Sequence, residues 1–366
     1  MDHITTKIDA GDRICDEELL YLLTDAPLLE MGALADRVRH QRHPGETVTY
    51  VVDTNLNYTN LCDAYCSFCA FYRPHTSTAD DAYTHTVEEM MTQVAGAVSL
   101  GCTTVLMQGG LNPQLPLDYY VEMVQETRER FPAITPHYWS APEIYEMAKV
   151  SGLSYHQVFE ALWAAGQRTL PGGGAEVLTN EERHRISPLK MDADEWVAIH
   201  QAAHEVGFRG TATMMYGHGE TILSRVEHFR RTRDLQDRNG GFYAFVPWSF
   251  APGGTPLGRK LKGLRANAND YLRIIAAARL YFDNIDHVDA SWFSEGKKTG
   301  QVALHFGADD FGGTLFDENE MQEAGHYVRT SVEEMRTMIR EAGFVPAQRN
   351  TQYEVLEAFN EDALEV

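Results

Sequence analysis

Hydrophobic and polar positions alternate in a regular rhythm from about residue 46 onward. Short runs of apolar, β-branched or aromatic residues alternate with longer stretches whose apolar residues recur every three or four positions. The short runs predict strands at Val48–Val52, Thr103–Gln108, Thr135–Trp139, Arg168–Leu170, Gly210–Tyr216, Gly241–Val246, His287–Trp292 and Val302–Phe306. The longer stretches predict helices at 87–100, 117–131, 142–166, 192–206, 221–239 and 269–283, with a break near Gly152 in the third. Asp192, with Glu195 three residues on, is a capping signal at the start of the fourth.

Each predicted strand is thus followed by a helix, in units of about 30–40 residues, which is typical of parallel strands joined by helical crossovers. Seven or eight such units favour an α/β fold of the closed (β/α)8, TIM-type barrel class. An open doubly wound sheet is the alternative that this rhythm leaves.

The flanks of the repeating region have a different pattern. Leucines among acidic residues before residue 46 predict a helical N-terminal extension, and the region beyond residue 316 predicts two helices and a final acidic stretch. No segment rich in Pro, Gly and Ser separates a second globular domain. The predicted organisation is an extension at 1–45, a barrel at 46–316 and a helical segment packed on the barrel at 317–366.

The charge balance narrows the range of partners. Lys and Arg number 31 against 53 Asp and Glu, which gives a net charge of −22. Such a chain lacks the basic footprint of nucleic-acid binding and is repelled by anionic membranes. No apolar run reaches the ~20 residues of a spanning helix, and the N-terminus lacks signal-peptide features. A cytoplasmic protein with a small-molecule substrate is the prediction.

Three of the five cysteines lie within eight residues, at Cys62, Cys66 and Cys69, just after the first predicted strand. Cys15 and Cys102 are distant, and an odd total is not typical of a disulfide framework. Clustered thiolates suit an iron–sulfur cluster or zinc. A structural zinc site and an electron-transfer cluster both want four protein ligands. Three cysteines leave one iron free to bind a small molecule, although both non-enzymatic alternatives remain.

The spacing Cys-x3-Cys-x2-Cys, with an aromatic residue before the last cysteine, resembles the radical S-adenosylmethionine superfamily. The resemblance implies that Cys62, Cys66 and Cys69 hold a 4Fe–4S cluster, that the remaining iron binds S-adenosyl-L-methionine, and that Phe68 lies beside the adenine. It also implies that S-adenosylmethionine is cleaved to a 5′-deoxyadenosyl radical. The electron would come from a donor such as flavodoxin or ferredoxin.

Two further segments resemble the superfamily's sites for S-adenosylmethionine. The second predicted strand ends in Gln108, Gly109 and Gly110, which resemble a glycine pair whose backbone binds the amino group. The fourth runs into a Pro-Gly-Gly-Gly-Ala-Glu sequence, in which the resemblance implies that Glu176 binds the ribose hydroxyls. The alternatives are an ordinary strand-to-helix turn and a solvated loop acid.

In a barrel the active site lies at the carboxyl ends of the strands, so polar and aromatic residues there are candidates for substrate and proton chemistry. For several of them a structural role is the alternative, such as a core histidine or a carboxylate at a helix N-terminus. The candidate substrate contacts are His137, Ser140, Tyr216, Trp248 and Ser291, and the candidate bases are His218, Glu220 and Asp289.

A narrower resemblance covers residues ~20–345. Its segments resemble the menaquinone–deazaflavin branch of the superfamily, and they are Asn57–Asn60, Cys69–Arg73, Pro171–Glu176, Pro247–Phe250 and Gly307–Thr314. Within the branch, the Pro-Trp pair at 247–248 and the Ala-Ser-Trp at 290–292 are most similar to dehypoxanthine futalosine cyclases.

That resemblance implies an oxidative cyclisation in the futalosine pathway of menaquinone biosynthesis. The deoxyadenosyl radical would take hydrogen from the ribose C4′ of dehypoxanthine futalosine, and the carbon radical would add to the substrate's aromatic ring. Loss of an electron and a proton would give cyclic dehypoxanthinyl futalosine. Aminofutalosine synthases and the subunits of the deazaflavin-core (FO) synthase are the enzymatic alternatives.

Overall fold

The computed structural model of the chain describes residues 1–317, 319–327 and 329–359. Parallel strands form its centre, and a late segment of the chain adds further strands to the same sheet. The strands are β1 (Thr47–Val51), β2 (Asp53–Asn57), β3 (Thr104–Gln108), β4 (Thr135–Tyr138), β5 (Thr169–Leu170), β6 (Arg209–Tyr216), β7 (Phe242–Ser249), β8 (His287–Val288), β9 (Asp310–Gly313), β10 (Val345–Arg349) and β11 (Val355–Ala358).

Strand pairing follows the order expected of a barrel. The parallel orders are β2-β3-β4 and β5-β6-β7-β8, and β9 pairs in parallel with β1. Only Val52 separates β1 from β2, so the two form one long strand of the barrel wall. A parallel bridge between Asp289 and Asp310 joins the end of β8 to β9. The predicted α/β barrel is therefore confirmed, and its wall of strands extends from β1–β2 round to β9.

Helices lie outside the strands and connect them. They are α1 (Asp2–Ala10), α2 (Asp16–Thr24), α3 (Leu28–Arg42), α4 (Val87–Ser99), α5 (Leu117–Arg130), α6 (Ala141–Ser151), α7 (Tyr155–Ala165), α8 (Asn180–Ile186), α9 (Ala193–Val206), α10 (Ile222–Asn239), α11 (Pro256–Lys260), α12 (Ala268–Tyr281), α13 (Trp292–Glu295), α14 (Lys297–Ala303), α15 (Asn319–Glu323) and α16 (Val332–Glu341), with a 3-10 turn at Leu304–Phe306. Among the described helices, none has the length and apolar character to cross a bilayer.

Local sequence signals account for several helix ends. The Asp192 carboxylate accepts a hydrogen bond of 2.8 Å from the amide of Glu195 and so caps α9, as the sequence predicts. Gly152 adopts a left-handed conformation, with φ of 71°, and ends α6. The predicted break near Gly152 in the helical stretch 142–166 is confirmed, because glycine takes this conformation without the cost that a Cβ imposes.

The N-terminal helices pack against the outside of the barrel. α3 packs along α12, and Arg42 donates a hydrogen bond of 2.7 Å to the carbonyl of Phe282. Arg273 of α12 donates to the carbonyls of Leu22 and Ala26 at 2.8 Å. These contacts fix the extension at 1–45 against the helix that leads into β8.

The C-terminal segment differs from its purely helical prediction. After α15 and α16 it forms β10, which runs parallel to β1 from Thr47↔Val345 to Val51↔Arg349, and β11, which pairs antiparallel with β10. The segment therefore adds strands to the sheet as well as packing helices on it. The predicted acidic end at 360–366 lies outside the described residues.

The predicted strand at Val302–Phe306 is wrong, because these residues complete α14 and the 3-10 turn. A short apolar run fits a buried helix segment as well as a strand. The last strand of the barrel wall is β9, which begins four residues further on. Its sequence contains acids and glycines, which are typical of a loop. Gly307, with φ of 104°, turns the chain between the two.

Candidate active site

A cavity of about 370 Å³ extends inside the barrel. The three clustered cysteines, which follow β2 at its carboxyl end, form part of its wall. Arg349, at the end of β10, and Tyr353 form another part. Arg349 pairs with Val51, which lies partway along the long strand formed by β1 and β2. The cavity therefore reaches from the cysteine loop down into the barrel.

The three cysteines lie in a loop that backbone hydrogen bonds hold together. Cys62 is 9% exposed and Cys66 7% exposed, while Cys69 is partly exposed. The amide of Cys62 donates a hydrogen bond of 2.8 Å to the carbonyl of Arg73, which closes the loop. Burial raises the pKa of both Cys62 and Cys66. These thiols therefore become thiolates only beside a strong positive charge, such as a metal centre.

The number of clustered thiols bears on the kind of metal centre. A structural zinc site takes four protein ligands. Cys62, Cys66 and Cys69 bring three thiols to the wall of the cavity. Three cysteines suit an iron–sulfur cluster that keeps one iron open to a small molecule.

The predicted glycine pair packs directly against the cysteine loop. A Cβ on Gly110 would lie 2.1 Å from the carbonyl oxygen of Leu61, so only glycine fits there. The amide of Gly109 donates to Glu143 Oε1 at 2.9 Å. Burial raises the pKa of Glu143 to about 7, and Glu143 also accepts hydrogen bonds from the amide and hydroxyl of Ser140. The turn after β3 is thereby tied to the start of α6.

Glu176 forms a buried charged cluster on the cavity wall. Its carboxylate pairs with Lys190 at 2.8 Å and with Arg183 at 3.0 Å, and it is 5% exposed. Burial acts to raise the pKa of Glu176, but the two cations outweigh burial and hold the pKa below its usual value. The Lys190 ammonium also lies 5.7 Å from the centre of the Phe68 ring. A permanently charged carboxylate therefore stands near the cysteine loop.

A second buried cluster surrounds Asp289, farther from the cysteines. The Tyr353 hydroxyl donates to both carboxylate oxygens of Asp289, at 2.9 and 3.0 Å. Arg349 pairs with Asp310 through both ends of its guanidinium and lies 3.8 Å from Asp289. Burial, followed by repulsion from Asp310, raises the pKa of Asp289 well above its usual value, against the opposing effect of Arg349.

Most residues predicted for the site do line this one cavity. Besides the three cysteines and Asp289, they are Phe68, Gln108, Gly109, Gly110, His137, Ser140, Glu176, Trp248 and Ser291. Burial lowers the pKa of His137 to about 3, so its ring is neutral, and its Nδ1 lies 2.9 Å from the Thr169 hydroxyl. The hydroxyl of Ser291 is buried without a hydrogen-bond partner among the described residues, which leaves it available to a ligand.

Three predicted residues lie outside the cavity. Tyr216 is fully buried and donates a hydrogen bond of 2.8 Å to Glu295. His218 is buried against Arg185, whose guanidinium lies 3.0 Å from His218 Nδ1. Glu220 accepts hydrogen bonds from two amides of its own loop and pairs with Arg225 at 2.6 Å. None of the three is among the described residues that line the cavity, so the structure gives them a role in holding the loop after β6.

Sequence reasoning missed several residues that form the cavity wall. Glu143 had a signal, because Ser140 three positions earlier forms the start of a capping box. Lys190 had none, since it meets Glu176 only through the folding of the loop after α8. Arg349 and Tyr353 were missed because the C-terminal segment had been predicted as helical and external.

Two family models match the chain. Residues 56–232 match the model described as the radical SAM superfamily, and residues 239–361 match the model of the CofH/MqnC C-terminal region. Their junction falls between β6 and β7, and together they cover the cysteine loop and both charged clusters.

Curated relatives match over nearly the whole chain. The cyclic dehypoxanthine futalosine synthase of Halalkalibacterium halodurans is 38% identical over 361 residues, which cover 99% of this chain and 96% of the relative. The enzyme of the same name from Streptomyces coelicolor is 40% identical, covering 98% and 90%. The aminodeoxyfutalosine synthase of Thermus thermophilus is 35% identical, covering 96% and 94%.

The fold also matches a solved structure. The crystal structure of methylornithine synthase superposes with a TM-score of 0.72, at 19% identity, over 94% of this chain and 97% of that one. This likeness supports the barrel fold and says nothing of the substrate.

Proposed function

The chain belongs to the radical S-adenosylmethionine superfamily and, within it, to the CofH/MqnC family, and from this we propose that it cyclises dehypoxanthine futalosine oxidatively. The product is cyclic dehypoxanthinyl futalosine, an intermediate of the futalosine route to menaquinone. The observation that carries this proposal is the near full-length similarity to two synthases of that name, in a chain whose three clustered thiols line a cavity inside the barrel.

The donor set fits the superfamily's cofactors. Cys62, Cys66 and Cys69 would be the ligands of a 4Fe–4S cluster, because all three line the cavity and burial raises the pKa of Cys62 and Cys66, whose thiolates then need a cationic partner. Gly109 and Gly110, which line the cavity beside the cysteine loop, would bind S-adenosyl-L-methionine through their backbone. When bound, these groups supply a 5′-deoxyadenosyl radical, which abstracts hydrogen from an unactivated carbon.

Glu176 is preorganised to bind the ribose of S-adenosylmethionine. Lys190 and Arg183 keep the carboxylate ionised, so it accepts hydrogen bonds from both ribose hydroxyls without changing its protonation state. Phe68, packed beneath Lys190, presents its ring to the adenine. Because these partners are fixed before the cofactor binds, little free energy is lost in ordering them.

The rest of the cavity holds the substrate. The ribose C4′ must lie within about 3–3.5 Å of the carbon that takes its hydrogen. Trp248 provides an apolar wall, while His137, Ser140 and Ser291 offer polar contacts. Enclosure by the barrel keeps water and stray hydrogen donors away from a reactive radical.

Asp289 is the base that receives the ring proton. Of the three candidates, it is the one that lines the cavity among the described residues. Burial and the nearby Asp310 raise its pKa, which makes its carboxylate a stronger base than an ordinary one, and Tyr353 fixes the direction of its oxygens. The substrate thus loses one hydrogen atom to the deoxyadenosyl radical, one proton to Asp289 and one electron, which the oxidised cluster would accept. The sum is the removal of two hydrogens.

The proposal is tested with the anaerobically reconstituted enzyme. Incubated with dehypoxanthine futalosine, S-adenosylmethionine and dithionite, it should give 5′-deoxyadenosine and a product two hydrogens lighter than the substrate by mass spectrometry. Reactions without S-adenosylmethionine should give neither. A colourless protein that holds one zinc and forms no 5′-deoxyadenosine would overturn the proposal.

The similarity to an aminodeoxyfutalosine synthase supports a second candidate, addition of the radical to an enolpyruvyl substrate with release of carbon dioxide. The same assay separates the two candidates when each substrate is supplied alone. Product and carbon dioxide from the enolpyruvyl substrate, with dehypoxanthine futalosine left unchanged, would favour the second.

A further inference from the structure

One long stretch of this acidic chain contains no acid. From Arg238 to Asn269 there is no Asp or Glu, although the chain has 53 of them. The stretch carries four exposed cations between β7 and α12, and they surround Leu264, which is 54% exposed. We call these residues the basic surface: Arg259, Lys260, Lys262, Leu264 and Arg265.

The cations of the basic surface are not neutralised locally. Within the described parts of the chain, none of the four forms an ion pair with a carboxylate, unlike Arg73, whose guanidinium is paired with Asp81. Arg259 and Arg265 instead donate to the carbonyls of Gly254 and Ser294, at 3.3 and 2.8 Å. Their positive charge is therefore presented outward.

Backbone hydrogen bonds hold the basic surface in one shape. The amide of Lys262 donates to the carbonyl of Arg259 at 3.2 Å, and that of Leu264 to Leu261 at 3.1 Å. The amide of Gly263 reaches back to Gly258 at 2.9 Å. A charged surface with an exposed apolar residue among its cations has the composition of a protein-docking site, and its ordered backbone lowers the entropy cost of docking.

The basic surface is attached directly to the cysteine loop. The amide of Leu257, at the start of the same segment, donates a hydrogen bond of 2.8 Å to the carbonyl of Ser67, which lies between Cys66 and Cys69. Leu257 belongs to a small buried cluster against which Phe68 packs. The segment that carries the cations is thus joined by a hydrogen bond and by apolar packing to the loop that holds the proposed metal ligands.

We propose that the basic surface docks the acidic electron-transfer protein that reduces the cluster. This inference rests on the proposed radical chemistry. One electron leaves the donor's reduced flavin or iron–sulfur centre and enters the cluster, so the donor is oxidised and the cluster is reduced by one electron. A net charge of −22 repels an acidic donor from most approaches, and a local cationic surface steers it to the face nearest the cluster.

The test compares two reductants on the same holoenzyme variants. Lys260→Glu/Lys262→Glu should lower the rate of 5′-deoxyadenosine formation with limiting reduced flavodoxin by about tenfold or more, as expected when steering charges are reversed. With dithionite, which needs no docking surface, the rate should stay within about twofold of the parent enzyme. Lys260→Gln/Lys262→Gln should give a smaller loss with flavodoxin, and added salt should reduce the difference from the parent.

Arg238→Glu is the matched control for a single reversal at Lys260. Arg238 is exposed, lies in the same acid-free stretch and sits at the far end of α10, away from the cysteine loop. It should leave both rates unchanged, whereas Lys260→Glu should slow only the flavodoxin reaction.

Three outcomes would overturn the proposal. The first is a parental flavodoxin rate in both double variants, and the second is an equal loss with dithionite, which indicates structural damage. The third is charge-dependent binding of DNA or of phosphatidylserine vesicles without any effect on flavodoxin. If the parent enzyme forms no 5′-deoxyadenosine with either reductant, the proposed function falls as well. Normal dithionite activity with an unaffected flavodoxin rate removes only the docking site.

Discussion

Glu176 and Asp289 are two buried carboxylates on the wall of one cavity, and their surroundings push their pKa values in opposite directions. Glu176 meets two cations, Lys190 and Arg183, and stays ionised. Asp289 is buried near another carboxylate, Asp310, and its one nearby cation is already engaged by that neighbour. The number of uncommitted cations, rather than burial, therefore separates the two.

Because of this difference, the two carboxylates suit different roles in the reaction. A carboxylate that is always charged holds a polar ligand in place but takes up no proton near neutral pH. A carboxylate whose pKa is raised exchanges a proton readily. Paired titratable groups with diverging pKa values are a common arrangement of acid and base in active sites. The cavity thus has a binding end near the cysteines and a proton-handling end near β10.

Removing a cysteine should have the largest effect, because both ends depend on the radical. Cys66→Ala should abolish 5′-deoxyadenosine formation and product together, since it deletes one of three cluster ligands. Cys102→Ala is the matched control, because Cys102 is also buried but does not line the cavity. It should keep the iron content and activity of the parent. Cyclisation by a Cys66→Ala enzyme would contradict the assignment of Cys66 as a cluster ligand at the binding end.

Changing the proton-handling end should uncouple the two products. Asp289→Asn should lower cyclised product by about 10²–10⁴-fold, the usual contribution of a general base. Formation of 5′-deoxyadenosine should continue, because hydrogen abstraction precedes proton loss. Liquid chromatography of both products in one reaction measures the ratio.

Glu220→Gln is the control for Asp289→Asn, since Glu220 was also a candidate base. It pairs with Arg225 away from the cavity, so this variant should keep the parental ratio of product to 5′-deoxyadenosine. A parental ratio in Asp289→Asn would remove Asp289 as the base.

Neutralising the binding end should have an intermediate effect. Glu176→Gln should raise the KM for S-adenosylmethionine by about tenfold, the effect of losing roughly one charge-assisted hydrogen bond. It should also lower Tm, because Lys190 and Arg183 become buried charges that have lost their carboxylate partner. Initial rates over a range of S-adenosylmethionine concentrations measure the KM.

Glu182→Gln separates the two effects of that change. Glu182 is also buried and ion-paired, at 2.7 Å from Arg185, but it does not line the cavity. It should lower Tm without raising the KM. An equal rise in KM for both variants would mean that Glu176 acts only through stability.

The binding end could be predicted from sequence because its chemistry is local. Three cysteines fall within eight residues, and Gly109 and Gly110 end a strand whose apolar run is unambiguous. Because these motifs are short and continuous, their resemblance to the superfamily is enough to predict the roles of their residues. The long strands β6 and β7 were predicted for the same reason, since each is encoded by one continuous run.

Only one residue of the proton-handling end could be predicted, because distant segments build it. The position of Asp289 at a strand end makes it a candidate base, but its partners Asp310 and Arg349 lie in β9 and β10, and their contacts are set by pairing across the sheet. The strand β10 contains Pro346 and ends in Arg349, so it lacks the apolar alternation of a strand. Parallel pairing with β1, nearly 300 positions earlier, has no signal in the local pattern.

The smallest predicted effect is a shift in the pH profile when the hydrogen bond between Tyr353 and Asp289 is removed. The phenol donates to the charged carboxylate and so lowers the pKa of Asp289, against the raising effects of burial, Asp310 and Asp309. Tyr353→Phe should therefore raise that pKa further. Since the base works when deprotonated, the rising limb of kcat against pH should move to higher pH by up to about one unit, and activity should recover above it.

Tyr243→Phe, which alters a neighbouring ring that does not line the cavity, should leave the limb in place. An unmoved limb in Tyr353→Phe would mean that the proton goes elsewhere, and the two carboxylates would then differ in charge but not in function.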